Sequence, residues 1–212
     1  MSLFDLESLT NDERILFHSL PADYQTFLVR TNGGVANSPK RWFRIPIERT
    51  IQGKTYSFNW NEVAEFWSFI SYRNTKPEAA DVASILHEHF DRHEKEGFLP
   101  RGVYAIGICV QSSLLGISTN FHDLGSVYYL EWYWRYPWYK SFFDRCIEQA
   151  SAQFADIQAI LGNPEHPEYW AAYDALNYAT LVKVGDSFTE FMESLVTESE
   201  IVDDGCKRVK QF

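Results

Sequence analysis

The feature that most constrains the fold is a change of hydrophobic period near the middle of the chain. Three segments, residues 103–110, 114–118 and 126–134, are rich in β-branched and aromatic side chains and are separated by short polar links. Segments of this kind are typical of strands, and the short links favour an antiparallel meander. Before and after them, apolar residues recur mainly at helical spacing. Strands grouped between helices predict an α+β fold with a small antiparallel sheet flanked by several helices.

Helices are predicted on both sides of this sheet. The stretch LPADYQTFLVRTNGG, residues 20–34, places Pro21 in a first turn and ends on two glycines, which can adopt the left-handed conformation that terminates a helix. The side chain of Ser19 or Asp23 can accept a hydrogen bond from the free N–H groups in the first turn of this helix. Residues 35–60, which prolines interrupt, are predicted to form loops and short strands. A broken helix is predicted over residues 3–18, with a capping box of Thr10 and Glu13 in its middle. Further helices are predicted over residues 62–69, 75–97, 138–161 and 167–178, and after a capping box of Ser187 and Glu190.

Length and composition bound the domain organisation and the compartment. A chain of 212 residues with 45% hydrophobic content and no repeat or linker is predicted to form a single domain over residues 1–212, stable without a metal or a disulfide. Its 3 cysteines are widely spaced and odd in number, which favours a reducing compartment. The acidic N-terminus lacks a signal sequence, and no apolar run approaches the roughly 18 residues that span a bilayer. We expect a cytoplasmic protein that does not enter the membrane.

Charge and aromatic content indicate the class of partner. A net charge of -10, from 19 basic and 29 acidic side chains, repels nucleic acid and anionic membranes and attracts basic proteins. Aromatic residues make up 17% of the chain, so some rings are expected at the surface, where they commonly anchor protein partners. The sequence therefore favours binding to a basic protein and not to nucleic acid, and it is compatible with a homodimer. Solubility alone would also account for the acidity.

The sharpest candidate for chemistry is the stretch HEHFDRH, residues 87–93. His89 and His93 lie four residues apart and would share a helix face, as metal ligands do. The metalloprotease pattern HExxH fails because Asp91 stands where its second histidine belongs, and spacing identifies no third ligand. The sequence also lacks nucleophile elbows, phosphate-binding loops and dinucleotide-binding turns. We expect no catalytic, cofactor-binding or metal-binding residue and no enzymatic activity, with a hydrolase or metal site at His89 and His93 as the alternative.

Two segments are candidates for contact with a partner. Residues 131–140, EWYWRYPWYK, place tryptophans beside charged groups, and in a strand Trp132 and Trp134 would share one face. Residues 186–204 carry carboxylates and no Lys or Arg, so they could mimic phosphate and cover the basic groove of a nuclease. The alternatives are tryptophans buried under a helix and an ordinary solvated helix face. The candidate partner-binding residues are Glu131, Trp134, Trp138, Glu198 and Glu200.

Four pieces of the sequence, taken in order, resemble the pattern of the SUKH superfamily, which includes the yeast cell-wall assembly and killer-toxin-resistance regulator. They are Leu20-Pro21-x-Asp23-Tyr24-x-x-Phe27-Leu28 with Asn32-Gly33-Gly34, Phe98-Leu99-Pro100 with Ala105-Ile106-Gly107, Gly125-Ser126-Val127-Tyr128-Tyr129, and Ser187-Phe188-x-x-Phe191. Each piece is common by itself, and their order carries the resemblance. It leaves residues 60–97 and 138–180 unmatched, and these look like helical insertions. Where the family usually has an acidic, glycine-rich turn, this chain has Gln111-Ser112-Ser113.

The resemblance implies a binding role without turnover or cofactor. Bacterial members of the superfamily are mostly immunity proteins, which bind a cognate toxin, often a nuclease, and protect the cell that makes it. The fungal branch implies an alternative, an intracellular scaffold or regulator with several weaker partners. The motif residues are expected to pack in the core or to set turns, and they need not touch a partner. They are Pro21, Asp23, Tyr24, Phe27, Asn32, Gly33, Gly34, Ser187, Phe188 and Phe191.

Overall fold

The computed structural model describes residues 7, 9–31, 34–35, 40–46, 48–51, 54–57, 63–69, 99–109, 113–130 and 140–203. The helices in these ranges are α1 Asn11–Ser19, α2 Ala22–Thr31, α3 Lys140–Ser151, α4 Ile157–Leu161, α5 Tyr169–Thr180, α6 Phe188–Glu193 and α7 Glu198–Asp203. The strands are β1 Gly34–Val35, β2 Arg41–Arg44, β3 Glu48–Ile51, β4 Lys54–Ser57, β5 Val63–Phe69, β6 Val103–Cys109, β7 Leu114–Ser118, β8 Val127–Leu130, β9 Val182–Gly185 and β10 Val196–Thr197. Within the same ranges, no helix combines the length and apolar character that crossing a lipid bilayer requires.

Eight of the strands form one antiparallel sheet. Its order is β10-β2-β5-β6-β7-β8-β9, with β1 also paired to β5, while β3 and β4 form a separate hairpin. Strands β6, β7 and β8 are neighbours both in the chain and in the sheet, as the predicted meander requires. The predicted α+β fold, with an antiparallel sheet flanked by helices, is confirmed.

The sheet is strongly curled. The ring centroids of Phe43 on β2 and Tyr129 on β8 lie 5.6 Å apart. Three strands separate β2 from β8, so a flat sheet would hold these residues about 19 Å apart. Phe191 of α6 fills the concave side, with its ring centroid 5.4 Å from that of Phe43 and 6.4 Å from that of Phe66 on β5. Helix α6 therefore packs its buried face, which carries Phe188 and Phe191, against the concave side of the sheet.

Both faces of the central strands are covered. Every residue of β7 and β8 is buried, which is typical of strands that lie between two layers. Tyr128 and Tyr129 point to opposite faces because side chains alternate along a strand. Tyr129 meets Phe43 inside the curl, and Tyr128 packs against Tyr178 of α5 with 6.0 Å between ring centroids. Helix α5, against which α3 and α4 pack, therefore covers the convex face of the sheet.

The helix predicted over residues 62–69 is wrong, because the structure places strand β5 there. Its apolar residues also fit one face of a helix, and a short apolar run cannot be assigned by periodicity alone. The structure pairs β5 with β1, β2 and β6 and buries Ala64 and Phe66, so pairing with distant strands decides the conformation. Glu65 is buried there too, and Lys40 compensates its charge at 2.9 Å. The helical insertion predicted over residues 60–97 is thus wrong for 63–69, and residues 70–98 lie outside the described ranges.

The helical region predicted over residues 138–180 contains three helices. The single helix predicted over residues 138–161 is divided into α3 and α4, which corrects that prediction. Helix α4 starts after Asp156, whose carboxylate accepts a hydrogen bond from the N–H of Ala159 at 3.1 Å. The helix predicted over residues 167–178 is confirmed as α5.

The ends of α2 differ in part from the predictions. Gly34 lies in strand β1 and does not terminate the helix, because its backbone pairs with Phe69 of β5. Ser19 does not accept from the first turn of α2, since its hydroxyl donates to the carbonyl of Leu16 at 2.7 Å. Asp23 does accept an early helix N–H, that of Tyr24, at 2.9 Å. One of the two predicted acceptors is therefore used.

Candidate functional site

The residues that carry the family resemblance meet where α2 packs on α6. The ring centroid of Phe188 lies 4.9 Å from that of Tyr24 and 5.0 Å from that of Phe27. Asp23 accepts hydrogen bonds from the N–H and the hydroxyl of Thr189, at 2.9 and 3.0 Å. One carboxylate oxygen therefore ties the start of α2 to the first turn of α6. These contacts give the motif residues a packing role.

Two other motif positions set turns. Gly125 has a φ of 87°, and a side chain added there would contact Pro21. Ser187 caps α6 by accepting a hydrogen bond from the N–H of Glu190 at 3.1 Å. The carboxylate of Glu190 accepts in turn from the N–H of Asp186 at 2.7 Å. The predicted capping box is thus present, with its return bond shifted by one residue.

A buried carboxylate organises residues 119–125, which form most of the connection between β7 and β8 and which we call the tip loop. Asp123 accepts hydrogen bonds from the hydroxyls of Ser118, Tyr128 and Tyr178 at 2.6, 2.6 and 2.8 Å. Its side chain is only 8% exposed. Because the three donors belong to β7, β8 and α5, this carboxylate joins the tip loop to both the sheet and the helical layer.

Burial and hydrogen bonding together set the protonation states of this cluster. Burial by itself would raise the pKa of Asp123, but the three hydroxyl bonds and His122, whose Nε2 lies 3.5 Å away, outweigh it and lower the pKa. Burial, reinforced by the Asp123 carboxylate, raises the pKa of both Tyr128 and Tyr178. Near neutral pH the phenols therefore keep their protons and donate, while Asp123 stays ionised and accepts.

Helix α5 presents an aromatic cluster near its N-terminus. The rings of Tyr169, Trp170 and Tyr173 contact one another, with centroids 5.2 Å apart for the closest pair and 6.0 Å for the other two. Trp170 is 43% exposed, and both tyrosines are partly exposed. Rings that hold one another in place lose little freedom when a partner covers them, and aromatic side chains dominate protein-binding hot spots. This cluster can therefore anchor a partner.

The surroundings of the cluster are acidic. Glu165 and Glu168 are exposed just before α5, and neither carboxylate forms an ion pair within the described ranges. From Cys146 to Val182 the sequence contains no Lys or Arg. Its carboxylates in this segment are Glu148, Asp156, Glu165, Glu168 and Asp174. We call Glu165, Glu168, Tyr169, Trp170 and Tyr173 the acidic aromatic face.

Helix α5 connects the acidic aromatic face to the tip loop. Trp170, Asp174 and Tyr178 follow one another at four-residue intervals and so lie along one side of the helix. Asp174 pairs with Arg101 at 3.1 Å, and the amide of Asn120 donates to the Arg101 carbonyl at 3.0 Å and to the Tyr178 hydroxyl at 2.9 Å. With a rise of 1.5 Å per residue, Trp170 lies about 12 Å from Tyr178 along the axis. The two features therefore belong to one continuous surface.

A cleft of about 560 Å³ opens elsewhere, where the end of β2 approaches β9. Its charged groups include Lys183 and Asp186, which pair with each other at 2.6 Å, and Glu190, which accepts from the Asp186 N–H. The charges of Lys183 and Asp186 therefore compensate each other, and Arg44 also lines the cleft. Within the described ranges, no three His, Cys, Asp or Glu side chains are placed to hold a metal ion.

Glu200 is the one predicted partner-binding residue whose side chain the structure describes. It is exposed, and its carboxylate accepts from the N–H and the hydroxyl of Thr197, both at 2.6 Å, which lowers the pKa of Glu200. These two bonds tie Glu200 to the residue that precedes α7, so Glu200 has a local structural role beside the predicted one. Glu198 is the first residue of α7, and only its backbone is described. The predictions for Glu131, Trp134, Trp138, Asn32, Gly33, His89 and His93 fall outside the described ranges.

Neither the acidic aromatic face nor the tip loop was predicted from the sequence. The first carries a readable signal, since aromatic residues at 169, 170 and 173 follow two glutamates in a segment without Lys or Arg. The second carries a weaker one, because Phe121 and Leu124 stand in an otherwise polar link that ends in glycine. The partners of Asp123 leave no local pattern, since Tyr178 lies 55 residues further along the chain.

Comparisons of the chain with family models, with curated proteins and with solved structures found no match. The function is therefore inferred from the geometry of the surface and from the resemblance in the sequence.

Proposed function

We propose that this chain is an immunity-type protein that neutralises a basic protein toxin by forming a stoichiometric complex, without turnover and without a cofactor. The observation that carries the proposal is the acidic aromatic face. There, three partly exposed rings hold one another in place beside two exposed glutamates. The resemblance to the SUKH superfamily supports the same class of function.

The two components of this face would contribute differently to binding. Carboxylates in a segment without Lys or Arg attract a basic surface and raise the association rate, an effect that salt screens. Rings such as Trp170, once covered, exclude water and supply most of the affinity by slowing dissociation. A nuclease groove that binds phosphate is basic, so a face of this composition is suited to occupying it.

An intracellular scaffold or regulator is the alternative function. The observation that favours it is the cleft beside β9, because its lining comes from β2, β9 and α6 and not from α5. A second surface of different composition suits a protein that engages more than one partner. The number of partners and their dependence on Trp170 therefore distinguish the two functions.

The proposed function can be tested by affinity capture from lysate of the native cell. Tagged wild-type protein, Trp170→Ala and the control Ile15→Ala, which alters an exposed residue of α1, are compared at low and high salt. We expect wild type and the control to retain one basic protein near 1:1, and Trp170→Ala to lose it. Added wild-type protein should abolish the toxic activity of that partner at the same ratio. Several substoichiometric partners that Trp170→Ala also retains would support the scaffold instead.

A further inference from the structure

The tip loop exposes two apolar side chains three residues apart. Phe121 is 101% exposed and Leu124 is 56% exposed. Isolated apolar residues are common on protein surfaces, but here two of them stand in a single short turn. A ring that is fully exposed adds nothing to the hydrophobic core. The whole apolar area of Phe121 is therefore available to a partner.

The backbone beneath these side chains is fixed. The N–H of Gly125 donates to the carbonyl of Ser118 at 2.9 Å, and the N–H of Asp123 donates to the carbonyl of Asn120 at 3.2 Å. The Asp123 carboxylate adds bonds to three hydroxyls from β7, β8 and α5. A loop that folding has already ordered loses little further entropy when it binds. The tip loop thus holds the backbone of Phe121 in place before any partner binds.

We propose that the tip loop is an anchoring element that inserts Phe121 into an apolar pocket on the same basic protein that the acidic aromatic face contacts, an inference that rests on the proposed function. Continuity of the surface supports a shared partner. A typical interface covers about 800 Å² on each protein, a patch roughly 30 Å across. The distance of about 12 Å along α5 between Trp170 and Tyr178, which holds the tip loop, fits within such a patch.

The charge of the surrounding surface identifies the occupant. A second copy of the chain would bring two molecules of net charge -10 together. Like charges oppose that arrangement, whereas a partner with Lys or Arg around its pocket would be attracted to it. The pocket therefore accepts one benzyl ring and has a basic rim.

Photo-cross-linking in the native cell tests whether one partner covers both features. A benzophenone amino acid replaces Phe121, Trp170 or, as the control, Ile15, which is 63% exposed on α1. We expect positions 121 and 170 to cross-link to the same basic protein and position 15 to give no adduct. Adducts at 170 without any at 121 overturn this inference and leave the proposed function intact. Adducts at neither position overturn both, and a self-adduct at 121 assigns the loop to self-association and overturns the inference.

Affinity for the cross-linked protein, purified separately, gives a quantitative test. Phe121→Ala should weaken binding by about tenfold or more, since it removes one aromatic anchor, and Ile15→Ala by less than about twofold. Both variants should keep the wild-type melting temperature because both side chains are largely exposed. Binding by Phe121→Ala within about twofold of wild type, while Trp170→Ala still loses affinity, would overturn the inference.

Amide hydrogen exchange tests the order of the loop without any partner. In wild-type protein the bond to Ser118 should slow exchange of the Gly125 backbone N–H. Asp123→Asn should make that exchange faster, because the side-chain amide of asparagine cannot accept from all three hydroxyls as a carboxylate does. Exchange in wild type at the rate of an unstructured peptide would show that the loop is not prepared, and the inference would fail whatever partner is found.

Discussion

Tyr24 illustrates how single residues hold the motif region together. It is fully buried, and its ring contacts both Phe27 and Phe188. Its hydroxyl finds no hydrogen-bond partner among the described residues, and burial raises its pKa. Tyr24→Ala should lower the free energy of unfolding by about 3 to 5 kcal/mol, because it removes a large core ring. Tyr24→Phe keeps the ring and should change that free energy by less than about 1 kcal/mol.

Urea denaturation of the two Tyr24 variants and of wild type, followed by tryptophan fluorescence, measures this difference. The phenylalanine variant is the matched control for the hydroxyl alone. Equal midpoints for wild type and Tyr24→Ala would mean that the ring does not contribute to the core.

Asp123 predicts a specific dependence of stability on pH. Its pKa is lowered in the folded protein, so its contribution to stability is complete above its ordinary pKa of about 4 and is lost as the pH falls through the lowered value. Asp123→Asn should reduce the free energy of unfolding by about 1 to 3 kcal/mol at pH 7, because an amide cannot accept from all three hydroxyls as a carboxylate does. The difference between wild type and variant should shrink below about pH 4. Denaturant titrations at several pH values measure it, and a difference independent of pH would contradict the role of the charge.

Local sequence patterns predicted some residue roles and not others. Tyr24 and Phe188 could be assigned to the core because each is an apolar residue in a segment with clear helix-start signals. Asp123 could not be identified as an anchor, because the hydroxyls of Tyr128 and Tyr178 reach it only after the sheet and α5 have come together. Long-range polar contacts have no sequence period.

At the scale of elements, the junction of α2 with α6 depends on one carboxylate. Asp23 accepts both the N–H and the hydroxyl of Thr189. Asp23→Ala should destabilise the protein by about 1 to 2 kcal/mol, since it also removes an acceptor at the start of α2. Thr189→Val removes only the hydroxyl bond. In a double-mutant cycle the two changes should couple by about 0.5 to 1 kcal/mol, and strictly additive effects would show that the contact does not link the helices.

Elements formed by neighbouring segments were the easiest to predict. Strands β6, β7 and β8 pair with their sequence neighbours, so composition and short links were sufficient. Strand β5 was predicted as a helix because its apolar residues also fit one face of a helix. No short link in the sequence indicates that it pairs with β2 and β6. Its conformation depends on those pairings more than on its own residues. The division between α3 and α4 was likewise missed, although Asp156 is a recognisable cap.

At the scale of the whole molecule, curling of the sheet separates two surfaces. The concave side closes around Phe191 of α6, and the convex side carries α5. The sequence predicted a sheet flanked by helices from the order of its segments, and it predicted the acidity from its composition. It did not predict the curl, which is set by contacts such as that of Phe43 with Tyr129 between strands far apart in the sheet. As a consequence, the acidic aromatic face lies on the outer helical layer, where a partner can reach it.

The position of the carboxylates, and not net charge alone, should control association with a basic partner. Glu168→Lys and Glu193→Lys change net charge equally, but only Glu168 lies on the acidic aromatic face, while Glu193 ends α6. In stopped-flow measurements with the captured protein at low salt, Glu168→Lys should slow association by about three- to tenfold, and Glu193→Lys should have a smaller effect. High salt should remove the difference, because exposed charges are screened beyond about 10 Å. If both variants slow association equally, the attraction comes from overall charge, and the carboxylates beside α5 do not steer the partner.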